Sequence, residues 1–313
     1  MRERLELLVL PDLADPKERA TAAQPPSRPL LALMRPKQWA KNLLVFAAPG
    51  AAGLLTTPSV AARAGVAFLS MCLVASGTYI LNDVLDAAAD RVHPRKRHRP
   101  VAAGHVTAGT ALVLSVALLV GGAVLAAFLG WGFAAVVAAY AGLSIAYSVV
   151  LKRIEVIDIA VIAACFVLRA VGGAAATDVT LSSWFLILVS AGALLVVAGK
   201  RMADLRYARA AGLGAFDEGR AAYPEPFLRG VWILSAGVAI TAYCLWSQAF
   251  PHDIDGIAWS QVSVVPFVIA LLRYALVIER GEASAPEEVF LRDRVLQVVV
   301  VTWALTYAAG VYL

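Results

Sequence analysis

Nine apolar stretches follow one another along the chain, near residues 39–56, 60–82, 108–129, 131–150, 157–176, 182–199, 228–248, 260–278 and 295–313. Each is about long enough to cross a hydrocarbon core of roughly 30 Å as a helix rising about 1.5 Å per residue. The first is the shortest and is interrupted by Pro49 and Gly50. The pattern predicts an all-α polytopic membrane bundle with nine transmembrane helices, built as one domain over residues 31–313. Ahead of it, residues 1–30 carry five prolines, mixed charge and one apolar patch, Leu5 to Leu10. That patch is too short for a signal-peptide core, so a flexible cytosolic tail is expected.

Composition narrows the class. The 313 residues are 60% hydrophobic and 16% charged, with a mean hydropathy of +0.75, which excludes an ordinary soluble domain. The net charge of +5 reflects topology more than a nucleic-acid partner. Of 27 Lys and Arg, 24 fall in the tail and in every second connection, and the intervening connections hold none. By the positive-inside rule the basic set is cytosolic, which puts the N-terminus inside and the C-terminus outside. Three arginines remain. Arg63 is expected to snorkel to the outer interface and Arg169 to pair within the bundle, while Arg273, near the cytosolic end of the eighth segment, is the better functional candidate. Cys72, Cys165 and Cys244 lie apart in apolar runs and read as core residues.

The chemistry concentrates at residues 77–100, GTYILNDVLDAAADRVHPRKRHRP, where the second apolar segment ends. On a helix, Asn82, Asp83, Asp86 and Asp90 fall within one arc of roughly 100°, and Tyr79 lies inside it. Crowded carboxylates repel, and oxygen-only ligands favour a hard divalent cation. A solvated helix end, with the acids paired to the following arginines, is the plainer alternative. Two further clusters share the cytosolic side. AYSVVLKRIEVID presents Tyr147, Ser148, Lys152 and Asp158; Lys152 also reads as a topogenic flank, and Asp158 as an acid at a helix start. AGKRMADLRYARAAG presents Lys200 and Arg201 nearest the membrane, a candidate phosphate clamp, though anionic headgroups would attract them too. The run HPRKRHRP, with Arg97, lacks the interleaved aromatics of a nucleic-acid patch; it reads as a topogenic loop or a donor-phosphate contact. His93, His98, His105 and His252 lie in or beside loops and read as non-catalytic.

NDxxDxxxD at a helix end after the second of nine spans resembles the first aspartate-rich motif of the UbiA superfamily of intramembrane prenyltransferases. The second aspartate-rich motif usual there is replaced by GKRMADL, with one acid among bases. That departure, with RPKQWAKN at 35–42, YSVVLK at 147–152, GKR at 199–201, LRYA at 272–275 and LRDRVLQ at 291–297, is similar to the decaprenyl-phosphate phosphoribosyltransferase branch. The resemblance implies transfer of 5-phosphoribosyl from phosphoribosyl diphosphate to decaprenyl or another polyprenyl phosphate, with release of diphosphate. This would be a step toward the arabinose donor of bacterial cell-wall arabinan. It also implies a multi-pass plasma-membrane location, a site open to the cytosol, and a homo-oligomer, for which a trimer is the expectation.

On this reading Mg²⁺, or Mn²⁺ in its place, is held by Asp83, Asp86 and Asp90, with Asn82 as a neutral partner, and relieves charge on the leaving diphosphate. Lys37, Lys41, Asn42, Lys152, Lys200, Arg201 and Arg273 are candidates to offset the repulsion between two anionic substrates. Tyr79, Tyr147 and Arg97 stand beside them, and Asp158 is a candidate for a second metal or for the ribose hydroxyls. Two alternatives stay open. A conventional prenyltransferase would use a prenyl diphosphate and an aromatic acceptor, and the missing second acidic motif counts against it. A transporter or channel would place charges at mid-membrane in paired segments, whereas most lie at cytosolic ends here.

Overall fold

The computed structural model describes residues 28–92, 96–210, 223–249, 253–254, 256–280, 289 and 292–312. A short helix, α1 (Pro29–Met34), leads into a 3-10 segment at Pro36–Phe46 and then α2 (Ala47–Ala51). The long helices follow: α3 (Pro58–Leu85), the short α4 (Ala87–Val92), α5 (Ala108–Leu129), α6 (Trp131–Val149), α7 (Ile157–Thr177), α8 (Ser183–Ala210) and α9 (Glu225–Ala249). Two-residue strands β1 (Asp253–Ile254) and β2 (Ile257–Ala258) form a small antiparallel hairpin before α10 (Trp259–Val262), α11 (Val264–Arg280) and α12 (Arg294–Tyr312). Residues 1–27 of the expected tail, His93, His252 and most of 281–291 lie outside the described residues, and residues 29–30 already belong to α1.

Among the described residues eight helical stretches are long and apolar enough to cross a bilayer. The first of the nine expected spans takes another form. Over Pro36–Ala51 most of the segment is a 3-10 helix, which rises about 2.0 Å per residue, so its sixteen residues still extend about 30 Å. Local chemistry sets the other boundaries. Pro58 opens α3 at its first turn, and the Thr107 hydroxyl caps α5 by accepting from the Thr110 amide at 3.1 Å. Gly130, at φ 114°, turns α5 directly into α6 with a backbone only glycine adopts readily.

Without a hydrophobic drive between helices in lipid, close packing and polar contacts have to hold them together. The α3–α5 interface does this reciprocally: Ser70 donates to the Gly122 carbonyl at 2.7 Å, and Ser115 to the Gly77 carbonyl at 2.8 Å. A Cβ at either glycine would collide with the facing helix. Gly173 of α7 likewise admits the Val45 carbonyl of the 3-10 segment, where any side chain would overlap it. Two of the apolar clusters that result meet at α7. One joins α3, α5, α6 and the Ala176 end of α7 around Met71, Phe133 and Tyr140; the other joins α8, α9, α11 and α12 to Ile159 at the opposite end of α7 around Met202, Leu228 and Trp232. Helix α7 belongs to both, and the cavity described below opens along it.

Candidate active site

A cavity of about 420 Å³ lies among α3, α6, α7, α8 and the 3-10 segment. Helical spacing puts its lining on single faces: Tyr140, Ser144, Tyr147 and Ser148 of α6, and Val161, Ile162, Cys165, Phe166 and Arg169 of α7. Helix α8 adds Val196, Val197, Lys200, Arg201 and Asp204; α3 adds Thr78, Tyr79 and Asn82. Arg35, Gln38 and Lys41 close one side, and Lys96 and Arg99 come from the loop after α4.

The acidic motif divides where sequence spacing alone puts it on one face. Helix α3 ends at Leu85 with Asp86 as its C-cap at φ −91°, ψ 1°, yet the backbone bonds from the Asp86 amide to the Asn82 carbonyl at 2.9 Å and from the Asp90 amide to the Asp86 carbonyl at 2.8 Å carry the helical spacing on to Asp90. Asn82 lines the cavity. Asp86 stays partly exposed and receives the Lys152 ammonium at 2.7 Å. Asp83 and Asp90 are buried and share the Arg99 guanidinium at 3.0 and 2.7 Å, and Asp83 also takes Arg35. Among the described residues no group of three or more His, Cys, Asp or Glu stands close enough to form a metal cage. Asp83 and Asp90 thus share one guanidinium, while Asp86 takes the Lys152 ammonium.

The other clusters are rearranged too. Asp158 is fully buried: Arg201 Nη2 reaches both of its oxygens at 2.8 Å, and the Tyr147 hydroxyl donates to it at 2.8 Å. It therefore aims Arg201 and is not itself among the residues that line the cavity. Backbone strain fixes that aim. Val156, a β-branched residue, sits at φ 66°, ψ −45° in a tight turn closed by Ile157 N to Glu155 O at 2.7 Å. Such a turn costs about 1–3 kcal/mol. The Tyr223 hydroxyl supports it by accepting from the Val156 amide at 2.7 Å.

Lys41, Tyr79, Tyr147, Lys200 and Arg201 line the cavity as the sequence suggested. Lys37 is exposed on the 3-10 segment and Arg97 donates to His98 Nε2 at 3.3 Å; neither is part of the lining. Arg273 is not either: it holds Asp293 at 2.7 Å, while Asp293 caps α12 by accepting from the Leu296 amide at 2.7 Å. These two donations hold the Asp293 carboxyl below its ordinary pKa, the Arg273 contribution being the larger. Asn42 is buried beneath the lining, donates to Cys72 Sγ at 3.2 Å and accepts from Arg169 Nε at 2.7 Å.

Five cavity residues with strong chemistry escaped the sequence reading, Lys96 beside Arg99 among them. Arg35 and Arg99 each precede a proline in a basic stretch, and nothing local separates Arg99 from Arg97. Asp204 is the single acid of GKRMADL. Arg169 carried a signal, a charge inside an apolar segment, but it does more than pair within the bundle. It lies on the wall, 3% exposed, between the Tyr140 and Phe166 rings at 4.8 and 5.3 Å. Removing a guanidinium from water costs several kcal/mol. Its bonds to Asn42, the Cys165 carbonyl at 2.6 Å and the Tyr140 hydroxyl at 2.8 Å are each worth about 1.5–3 kcal/mol, and the rings add about 2 kcal/mol, so neutral groups offset the burial.

Comparison with known proteins supplies a family. Residues 43–301 match the UbiA prenyltransferase family. A protein of Mycolicibacterium smegmatis named decaprenyl-phosphate phosphoribosyltransferase is 40% identical over 294 residues, covering 90% of this chain and 92% of its own. One of the same name from Corynebacterium glutamicum is 38% identical over 290 residues, covering 91% and 87%. The structure of a UbiA homologue from Archaeoglobus fulgidus bound to DMAPP and Mg²⁺ superposes with a TM-score of 0.67 at 17% identity, covering 90% of this chain and 98% of that one. The chain is a multi-pass membrane transferase that belongs to the UbiA prenyltransferase family, and it is similar across most of its length to that family's decaprenyl-phosphate phosphoribosyltransferases.

Proposed function

We propose that this chain transfers 5-phosphoribosyl from phosphoribosyl diphosphate to a polyprenyl phosphate, decaprenyl phosphate being the form its relatives' names specify, and releases diphosphate. The observation that carries the reading is the charge of the cavity: Arg35, Lys41, Lys96, Arg99, Lys200 and Arg201 converge on a space whose only acidic lining residue is Asp204. Such a wall suits substrates with several phosphates better than a single-headed prenyl diphosphate and a neutral aromatic ring.

The residues present fit a hard divalent ion held partly by substrate. Asn82 and Asp204 line the cavity and Asp86 stands one turn beyond Asn82, an oxygen-only set too sparse to close a cage alone. Mg²⁺ is commonly bound through one or two carboxylates plus substrate phosphates. Bound there, it would neutralise charge on the departing diphosphate. The chain's own residues do the rest. Asp158 and Tyr147 hold Arg201, and Asp83 and Asp90 hold Arg99 and Arg35, so the cations facing the phosphates are fixed before substrate arrives. The C1–O bond to diphosphate breaks as the acceptor phosphate oxygen bonds C1. A phosphate monoester with a second pKa of about 6 is already ionised at neutral pH, so no base is required. The polyprenyl tail lies against the apolar outer faces of the helices, the cavity mouth is cytosolic, and the chain works as a homo-oligomer.

Purified protein in nanodiscs should release diphosphate only when phosphoribosyl diphosphate, a polyprenyl phosphate and Mg²⁺ are all supplied, and EDTA should stop it. Diphosphate release that needs no lipid phosphate, or that survives full chelation, would count against the reading.

A further inference from the structure

The cavity floor holds a charge without a counter-charge. Arg169 shares a face of α7 with Val161, and its offset of eight positions places it about 12 Å further from the mouth end marked by Asp158 and Arg201. At the mouth the arginines meet carboxylates: Arg35 and Arg99 meet Asp83, and Arg201 meets Asp158. Arg169 meets the Asn42 amide oxygen, the Cys165 carbonyl and the Tyr140 hydroxyl, and among the described residues no Asp or Glu forms an ion pair with it. A guanidinium has five N–H bonds and cannot shed its charge; three are engaged by these acceptors, the Tyr79 hydroxyl is a fourth neutral hydrogen-bond partner, and donor capacity still remains on a side chain that lines the cavity. Asn42 is itself oriented, since its amide nitrogen donates to Cys72 Sγ and presents the oxygen to Arg169. These neighbours fix the fork without neutralising it, which is what a seat for an incoming anion requires.

We propose that Arg169 binds a phosphate monoester at the floor of this cavity. The inference rests on the phosphoribosyl-transfer reading, in which that group occurs twice: at the 5-position of the sugar donor and at the head of the lipid acceptor. A prenyl diphosphate carries none at its far end, so the floor separates the two donor classes while the mouth treats both as diphosphates.

Binding of ribose 5-phosphate, of a short-chain prenyl phosphate and of unphosphorylated ribose is measured on the protein in nanodiscs, for the wild type, Arg169→Gln and Asn42→Asp. At least one monoester should bind the wild type, and Arg169→Gln should weaken it about 100-fold. Loss confined to ribose 5-phosphate identifies the donor's sugar phosphate as occupant; loss confined to the prenyl phosphate identifies the lipid head. Asn42→Asp guards against a variant that fails to assemble, because it places a carboxylate at the Arg169 guanidinium, now 2.7 Å from the Asn42 oxygen, with almost no change of shape. It should keep or raise Tm and weaken the same monoester about 10-fold, an effect a merely structural arginine would not produce. Unchanged monoester affinity in both variants, or no monoester binding to the wild type, overturns the proposal. These arms need no turnover: absent transfer with Arg169-dependent binding removes the reaction and keeps the subsite, whereas full-rate transfer by Arg169→Gln removes the subsite and keeps the reaction.

Discussion

Arg63 and Arg169 are both arginines in apolar helices, and the bundle treats them oppositely. Arg63 stands near the start of α3 and ties helix ends together: it donates to the Ala176 carbonyl at 2.6 Å, the Leu129 carbonyl at 3.3 Å and Asp178 at 3.0 Å. Those carbonyls end α7 and α5, where helices leave acceptors unsatisfied and a cation is favourable. Its charge is consumed by the fold and shielded by an exposed carboxylate. Arg169 is buried deeper, has only neutral partners and lines the cavity. The charge of Arg63 is neutralised where it sits, whereas that of Arg169 is held in place by neutral groups, with no carboxylate paired to it among the described residues.

The acidic motif repeats this contrast, and substitutions there should give the largest effects. Asp86→Asn removes a charge beside the mouth but leaves Lys152 an acceptor, so transfer should fall about 1,000-fold with Tm nearly unchanged, as assayed kinetics and melting on one preparation would show. Asp83→Ala leaves Arg35 and Arg99 facing a vacated buried site, and should cost about 3–5 kcal/mol of stability, read as a marked fall in Tm. If Asp83→Ala melts like the wild type while Asp86→Asn unfolds, the assignment of the two roles is reversed. Arg63→Gln should lower Tm through the loss of a partly exposed brace worth about 1 kcal/mol and leave substrate affinity as it was; a raised KM would erase its contrast with Arg169.

The smallest effect concerns Asp293. Its carboxyl is held below the ordinary range by Arg273 and the Leu296 amide, so its stabilisation is present above the ordinary carboxylate pKa of about 3.9 and is lost as pH falls through the depressed value. Asp293→Asn should therefore melt slightly earlier than the wild type at pH 7, and the gap should close toward acid pH. A gap that widens on acidification would contradict the pairing.

The apolar periodicity located eight regular spans because lipid demands unbroken hydrophobic runs, and the ninth was legible as a crossing but not as a 3-10 segment. That form follows from its packing against α7 at Gly173, a contact between residues far apart in sequence. The acids of 82–90 were legible as a site, yet their partners were not. The 3-10 turn at Lys96–His98 brings Arg99 and not Arg97 back over Asp83 and Asp90. Asp158 and Arg201 were both identified, and only the fold shows that one positions the other. Arg273 resembled a mouth residue by depth alone, and its partner Asp293 lies across a loop that no helical spacing links to it.

The most direct measurement offers the purified protein equal concentrations of phosphoribosyl diphosphate and a prenyl diphosphate, with a polyprenyl phosphate and an aromatic acceptor both present, and weighs the products by mass spectrometry. A lipid phosphate heavier by one phosphoribosyl group, with no prenylated aromatic compound, is the predicted result. A prenylated aromatic product with the lipid phosphate unchanged would contradict the account.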